Sequence, residues 1–243
     1  EGLRAMTEAP DPEIRIDQLT GHRALLAPGR AERPDAFEAP APPADPGGAE
    51  ACPFCEGRED RTPPEVWAAR PDGGERDAPG WTQRSVPNLY PALVAEPGAG
   101  APTGGSEAGF TSSADPLRSS NRVTNVDLFA TAPARGAHEV IVNHPSHHTR
   151  LAELGAGGVA SAMAAWRARV GAHSPTASYV HLIVNEGPES GATQEHTHAQ
   201  LYALPFVPAE VARERERFNA YHERTQGSHL LQDVLVEEVR RRE

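Results

Sequence analysis

The stretch EHTHAQLY, residues 195–202, places two histidines and a glutamine at alternate positions. The apolar and β-prone residues around it predict the start of a β-strand. Because side chains alternate between the two faces of a strand, we expect His196, His198 and Gln200 to project from one face. An imidazole on a rigid strand with polar neighbours is well placed to attack phosphorus. The stretch therefore suggests an enzyme that forms a covalent nucleotidyl-histidine intermediate.

Composition and charge limit the partners of the chain. Its formal net charge is −11 over 243 residues, which argues against a nucleic-acid-binding surface. The sequence contains arginine but no lysine, so neither a P-loop lysine nor Schiff-base chemistry is available. No apolar run approaches the ~20 residues that span a bilayer, and the N-terminus lacks the apolar core of a signal peptide. We therefore expect no membrane partner and a cytoplasmic location.

The order of predicted elements favours an α+β domain with an antiparallel sheet and helices packed against it. Strands are predicted at His22–Ala27, His138–Asn143, Tyr179–Asn185 and His198–Leu204, and helices at Leu151–His173, Pro208–Arg224 and Leu230–Arg242. In the first of these helices, Val159, Met163, Trp166 and Val170 are spaced for one buried face. Val86–Leu93 is interrupted by proline and predicts an edge element or loop. Ala95–Ser120 is rich in Gly, Pro, Ser and Thr and predicts a surface loop or disordered insertion.

The only two cysteines, Cys52 and Cys55, have the spacing C-x-x-C in a loop rich in proline and glycine. This setting favours a metal site over a redox pair, which usually opens a helix after a strand. Two thiolates cannot complete a tetrahedral zinc site, so two more ligands are needed. His196 is one candidate, and the cluster of His144, His147 and His148 supplies others.

Arg30 and Arg33 follow a Pro-Gly turn and are candidates for contacts to phosphate. A guanidinium can bind phosphate through two parallel hydrogen bonds. The spacing R-x-x-R alone is a weak signal, and it is usually found on a solvated surface.

Five collinear segments resemble the galactose-1-phosphate uridylyltransferase branch of the histidine-triad superfamily. They are PEIRIDQLTGHRALLAPGRAERP, CPFC, VPNLYPAL, HEVIVNHPSHHTRLAEL and VNEGPESGATQEHTHAQLYALPFVPAEVARERE. Hydrolases of the superfamily carry a third histidine where Gln200 stands, and glutamine marks the transferases. The segments PEIR, CPFC and the SGAT turn are equally similar to ADP-sugar phosphorylases of the same branch.

The resemblance implies a role for each matching residue. His198 matches the nucleophile, and Gln200 matches the residue that hydrogen-bonds the nucleotidyl phosphate. Cys52, Cys55, His147 and His196 match the ligands of a structural zinc, with His144 and His148 flanking the third position. The nucleotide- and phosphate-contacting positions are matched by Arg30, Arg33, Asn88, Asn185 and Thr193. Glu214 matches a carboxylate that binds a second metal in some members.

The chemistry of the residues agrees with the central assignment. A neutral imidazole is nucleophilic near pH 7, and the backbone at Ala137–His138 or another nearby carbonyl is expected to hold the second nitrogen of His198. Glutamine is a neutral donor that cannot pass a proton to water. Gln200 should therefore favour transfer over hydrolysis.

The resemblance also implies the domain organisation and the partners. Residues 6–243 are expected to form one histidine-triad-like domain with an insertion at 95–122, and we expect the residues given to match only the N-terminal half of the family. The C-terminal half of the family would supply histidines that pair with Glu214, as well as contacts across a homodimer. The implied substrates are a nucleotide sugar and a sugar phosphate.

Three functions remain open from the sequence. The leading one is transfer of UMP from UDP-glucose to a hexose-1-phosphate through nucleotidyl-His198. The second is an ADP-sugar or dinucleoside-polyphosphate phosphorylase, with phosphate as acceptor. The third is a zinc-stabilised nucleotide-binding module without turnover.

Overall fold

The computed structural model describes residues 11–16, 22–32, 48–95 and 131–241. Its strands are β1 (Glu13–Ile16), β2 (Arg23–Leu26), β3 (Trp67–Ala69), β4 (Gln83–Pro87), β5 (Thr131–Pro133), β6 (Ala137–Val142), β7 (Tyr179–Val184) and β8 (His198–Leu204). Its α-helices are α1 (Gly48–Ala51), α2 (Gly155–His173), α3 (Ala209–Arg224) and α4 (Leu230–Arg241). Short 3₁₀ turns lie at Pro28–Glu32, Glu59–Arg61, Leu151–Leu154 and Pro188–Ser190. These elements confirm the predicted α+β class.

A five-stranded antiparallel sheet in the order β3-β4-β6-β8-β7 forms the centre of the molecule. In its middle, Val142 of β6 lies opposite His198 of β8, and Val140 lies opposite Gln200. Because paired residues of antiparallel strands share a face, this register places both polar side chains on one side of the sheet.

The other side of the sheet packs against α2. Its apolar core is formed by Ile141, Ala165, Ala199, Leu201 and Ala203, all buried. Trp166 and Val170 pack against this core as predicted, but the prediction for Met163 is wrong, since its side chain is 56% exposed. The helix instead buries Ala162, Ala165, Arg169 and His173. Small alanines allow α2 to approach the sheet closely at these positions.

A buried ionic cluster joins α2 to β6. Glu139 accepts hydrogen bonds from Arg169 Nε at 2.9 Å, Arg169 Nη2 at 2.7 Å and Ser85 Oγ at 2.7 Å. The ring of His173 adds a contact of 2.7 Å to the same carboxylate. Charges out of water are tolerated when they are paired and hydrogen-bonded in this way.

A second, three-stranded sheet in the order β2-β1-β5 was not predicted beyond its strand β2. It contributes to a separate core cluster of Ile14, Leu93, Ala134, Leu204 and Phe206. Gly136 links this part to β6 with a φ of 146°, and a Cβ there would overlap the carbonyl of Ala203. Only glycine adopts this backbone conformation without strain.

One further prediction needs correction. Val86 and Pro87 end β4, which lies inside the sheet between β3 and β6, whereas an edge element or loop was expected. Pro87 is tolerated there because β3 pairs only with Gln83–Ser85, so at Pro87 the strand has a partner on one side only. The loop begins only at Asn88.

Some predictions lie outside the described residues or are only partly tested by them. Arg33 and all but the first residue of the predicted insertion at 95–122 belong to the undescribed parts. Among the helices of the described ranges, none is both long and apolar enough to cross a bilayer.

Candidate active site

His198 begins β8 and is held by its own strand. Its Nδ1 lies 2.8 Å from the carbonyl oxygen of His196, which can only accept, so Nδ1 carries the hydrogen and donates it. In a neutral ring this places the lone pair on Nε2. The expected carbonyl partner is therefore that of His196, and not the backbone at Ala137–His138.

Next along the same face, Gln200 is engaged through its carbonyl oxygen. Gln200 Oε1 lies 3.1 Å from His138 Nε2 and 3.1 Å from the hydroxyl of Tyr202. His138 and Tyr202 also stack, with ring centroids 4.1 Å apart and an angle of 21° between their planes. The side-chain amide of Gln200 is thus fixed from the sheet side of the site.

A cavity of about 460 Å³ opens above these residues. It is lined by Pro53, Phe54, Arg61, Thr62, Pro63, Val86, Pro87, Asn88, Leu89, Tyr90, Val140, Thr193, Gln194, His198 and Gln200. Its volume lies in the range of small-molecule sites, and it combines an apolar part with convergent polar groups.

Four metal-ligating side chains meet beside the cavity. Cys52, Cys55, His147 and His196 place one ligand atom each within 4.8 Å of one another. The Sγ atoms of Cys52 and Cys55 lie 3.5 and 3.6 Å from His196 Nδ1, and Cys55 Sγ lies 3.6 Å from His147 Nδ1. These are the four residues selected from the sequence.

The distances within this Cys₂His₂ cluster fit a tetrahedral ion. Bonds of about 2.3 Å to sulfur and about 2.0 Å to nitrogen place the two atoms about 3.5 Å apart. His196 Nε2 lies 2.8 Å from the carbonyl of His144, so it donates there and leaves Nδ1 for a metal. His144 thus supports the cluster through its backbone, and its ring contacts that of His148 instead.

The protonation of the cluster depends on burial. Burial lowers the pKa of His196 to about 4, so its imidazole is neutral at pH 7, the form that binds a metal. Burial, together with the neighbouring Cys52, raises the pKa of the Cys55 thiol to about 11. A bound divalent cation reverses this penalty because it stabilises the thiolate directly.

Thr197, between the metal-cluster histidine and His198, is held from the opposite face. Its backbone N–H donates to the carbonyl of His148 at 2.7 Å, and its hydroxyl accepts from Asn143 Nδ2 at 3.1 Å. Asn143 in turn accepts from Trp166 Nε1 at 2.8 Å. Helix α2 therefore helps to fix the segment that carries both histidines.

The remaining predicted residues divide into three groups. Asn88 and Thr193 line the cavity with His198 and Gln200. Arg30 reaches its rim, where Nη1 donates to the carbonyl of Tyr90 at 3.0 Å. Asn185 is not part of the cavity wall.

Glu214 has a different setting. It is exposed on α3 and belongs to no group of three or more metal-ligating side chains among the described residues. The second metal therefore stays a prediction.

Sequence reasoning missed three residues whose side chains contact the predicted site residues. Phe54 contacts the rings of both His196 and His198 at centroid distances of 6.3 and 5.3 Å. Its position between the two cysteines was the available signal. For His138 and Tyr202, the only signal in the sequence was their position on predicted strands, where side chains alternate between faces.

Comparison with known proteins shows what the chain is similar to. The profile of the galactose-1-phosphate uridyl transferase N-terminal domain matches residues 110–208. An ADP-glucose phosphorylase of Arabidopsis thaliana is 30% identical over 90% of this chain and 56% of its own length. A galactose-1-phosphate uridylyltransferase of Cryptococcus neoformans is 26% identical over 94% of this chain and 55% of its own length.

Two solved structures show the same fold. A uridylyltransferase superposes with a TM-score of 0.53 and 26% identity, covering 87% of this chain and 52% of that protein. The Arabidopsis thaliana ADP-glucose phosphorylase with bound ADP-glucose superposes with a TM-score of 0.51 and 27% identity, covering 89% of this chain and 56% of that protein. The chain thus spans about half the length of these relatives. Profile, relatives and fold thus agree that the chain is similar to the galactose-1-phosphate uridylyltransferase family.

Proposed function

We propose that the chain is a nucleotidyltransferase that transfers a nucleoside monophosphate from a nucleotide sugar through a covalent intermediate on His198. The observation that carries this proposal is the hydrogen bond of 2.8 Å from His198 Nδ1 to the carbonyl of His196. It leaves Nε2 as the nucleophilic nitrogen of a side chain that lines the cavity. Gln200 stands beside it as a neutral donor.

The reaction consists of two displacements at one phosphorus. The lone pair of His198 Nε2 attacks the α-phosphorus, and the bond to the bridging oxygen breaks to release the sugar phosphate. The ring then carries a positive charge, which the carbonyl of His196 stabilises through Nδ1–H. An acceptor phosphate oxygen next attacks the same phosphorus, the P–N bond breaks, and neutral His198 is restored.

Two donor and acceptor pairs fit this chemistry. The first is UDP-glucose with a hexose-1-phosphate, as in the uridylyltransferases of the family. The second is an ADP-sugar with phosphate, which is supported by the 30% identity to an ADP-glucose phosphorylase against 26% to the Cryptococcus neoformans uridylyltransferase. The cavity lining includes the apolar side chains of Phe54 and Leu89, which suit either base.

Zinc is the metal that we propose for the four-residue cluster, since two thiolates and two imidazoles are its preferred tetrahedral ligands. Cys52, Cys55, His147 and His196 would hold it. Its role would be structural: it ties the loop around the cysteines to the segment that carries His198. Metal analysis should give one zinc per chain, and Cys52→Ser should lose the metal and unfold at lower temperature.

The test of the proposed function is the mass of the protein after incubation with UDP-glucose or ADP-glucose. The zinc-loaded wild type should gain one UMP or one AMP, and the identity of the adduct selects between the two donors. His198→Ala should gain neither. His222→Ala, which changes an exposed histidine of α3, is the matched control and should still gain the adduct.

Folded, zinc-loaded wild type that binds nucleotide sugar but never forms an adduct would show the third function, a binding module without turnover. Isotope exchange between the nucleotide sugar and its sugar phosphate provides an independent measurement. Exchange requires the bond between the α-phosphorus and the bridging oxygen to break and re-form, whereas simple binding gives none.

A further inference from the structure

His138 and its backbone partner determine which way the amide of Gln200 faces. The backbone N–H of Ala92 points at His138 Nδ1 over 3.1 Å. A backbone N–H can only donate, so Nδ1 must accept and cannot carry a hydrogen. The hydrogen of the neutral ring is therefore on Nε2.

This tautomer then assigns the atoms of Gln200. Two groups approach His138 Nε2: an atom of the Gln200 amide at 3.1 Å and Asn88 Nδ2 at 3.2 Å. Asn88 Nδ2 is itself a donor, since Asn88 Oδ1 accepts from the backbone N–H of Tyr90 at 2.9 Å. The hydrogen of His138 Nε2 thus goes to Gln200, and the atom that receives it is the amide oxygen.

With its oxygen held toward the sheet by His138 and by the hydroxyl of Tyr202, Gln200 presents its NH₂ group toward the cavity. We propose that His138 is a positioning residue for nucleotidyl transfer, which keeps the donor end of Gln200 aimed at the phosphoryl group. This inference rests on the proposed function of His198. In the opposite amide orientation, Gln200 would present a carbonyl oxygen to a phosphoryl oxygen, and the two would repel.

The experiment compares two substitutions of His138. His138→Phe keeps a ring against Tyr202 but removes the donor, and His138→Gln retains an amide N–H near the position of Nε2. The rate of adduct formation is measured by mass in single turnover, with whichever of UDP-glucose and ADP-glucose labels the wild type. We expect His138→Phe to be slower by about tenfold to a hundredfold, with little change in nucleotide-sugar affinity. His138→Gln should recover most of the rate.

A mutant cycle separates positioning from a general structural role. In a Gln200→Ala background, His138→Phe should not slow adduct formation any further, because the side-chain amide through which His138 acts has been removed. The full loss in that background would overturn the proposal, as would a wild-type rate in His138→Phe. Nitrogen NMR of the wild type should also show His138 protonated at Nε2, and protonation at Nδ1 would overturn the proposal without any assay of activity.

The two proposals fail in different ways. A wild type that never forms an adduct overturns the proposed function, and the inference on His138 with it, whatever the tautomer. A wild type that forms the adduct as fast as His138→Phe overturns the inference alone.

Discussion

The neighbouring residues His138 and Glu139 of β6 are both buried, yet they belong to opposite faces of the sheet with different uses. Glu139 faces α2 and lies in a closed ionic cluster, where Arg169, His173 and Ser85 contact its two carboxylate oxygens. His138 faces the cavity in a chain of neutral groups that leads to Gln200. One network ends inside the core, and the other ends at a wall where a ligand can bind.

Under the proposed function, one sheet serves stability on one side and chemistry on the other. A buried cluster of charges is tolerated when every charge is paired, and the fold is strongly destabilised when one member is removed. A chain of neutral hydrogen-bond donors and acceptors can leave one donor for the ligand. It requires only that each hydrogen bond runs in the direction that leaves this donor facing the cavity. We therefore expect substitutions on the helix face to change stability, and those on the cavity face to change rate.

The largest expected effect is on the helix face. Arg169→Met removes the cation that donates twice to Glu139 and leaves a buried carboxylate with fewer partners. The free energy of unfolding should fall by about 3–5 kcal/mol, measured by denaturant unfolding. Arg167→Met, at an exposed position of the same helix, is the control and should cost almost nothing. Equal losses of unfolding free energy in the two variants would contradict the assignment of a stabilising role to the buried cluster.

The elements that the sequence predicted well are those whose pattern is local. The alternation around His198 predicted β8 and the shared face of His198 and Gln200, because side-chain direction in a strand follows from spacing alone. The pairing of the cysteine loop with His147 and His196 came from the family resemblance. Their ligand atoms meet at the distances that a tetrahedral metal requires.

What the sequence did not predict depends on contacts between distant segments. The strands Glu13–Ile16 and Thr131–Pro133 pair across more than a hundred residues, and each is too short to show a period. The buried face of α2 is decided by alanines and by Arg169, whose partner is on β6. His138 and Gln200 are 62 residues apart, and their contact depends on the register of two strands.

On the cavity face, Gln200→Glu should have a large effect on rate and a small one on stability. The carboxylate has almost the same shape and can still accept from His138 and Tyr202. It replaces the donor that faces the phosphoryl group with a negative charge, so adduct formation should slow about a hundredfold to a thousandfold. Mass of the adduct in single turnover measures the rate, and thermal unfolding measures stability. A loss of stability as large as that of Arg169→Met would remove the distinction between the faces.

Acid should weaken the helix face through Glu139. Burial alone would raise the pKa of this carboxyl, but hydrogen bonds from His173 and Arg169 outweigh it and lower the pKa from 4.5 to about 2. The pKa of Glu139 is thus lower in the folded protein than in the unfolded chain. The ionised carboxylate therefore stabilises the fold fully at pH values above the unfolded pKa, and this stabilisation is lost as the pH falls toward 2. The loss should be about 3 kcal/mol.

Glu139→Gln isolates this contribution, because both proteins keep the same metal cluster and the same other acids. The difference in free energy of unfolding between wild type and variant should be constant from pH 7 to about pH 5, and should shrink as the pH falls further. Denaturant unfolding at several pH values measures it. A difference that does not vary with pH would show that Glu139 is not the group that titrates.

The smallest expected effect is that of Tyr202→Phe on the cavity face. The substitution removes the second hydrogen bond to Gln200 Oε1 and keeps the ring that stacks on His138. One neutral hydrogen bond is worth about 1 kcal/mol, so adduct formation should slow roughly fivefold. Because His138 still holds the amide oxygen, Tyr202→Phe should cost less than His138→Phe in the same single-turnover assay. If the tyrosine variant were the slower of the two, the hydroxyl would be the main support of Gln200, and the order of the two donors on this face would be reversed.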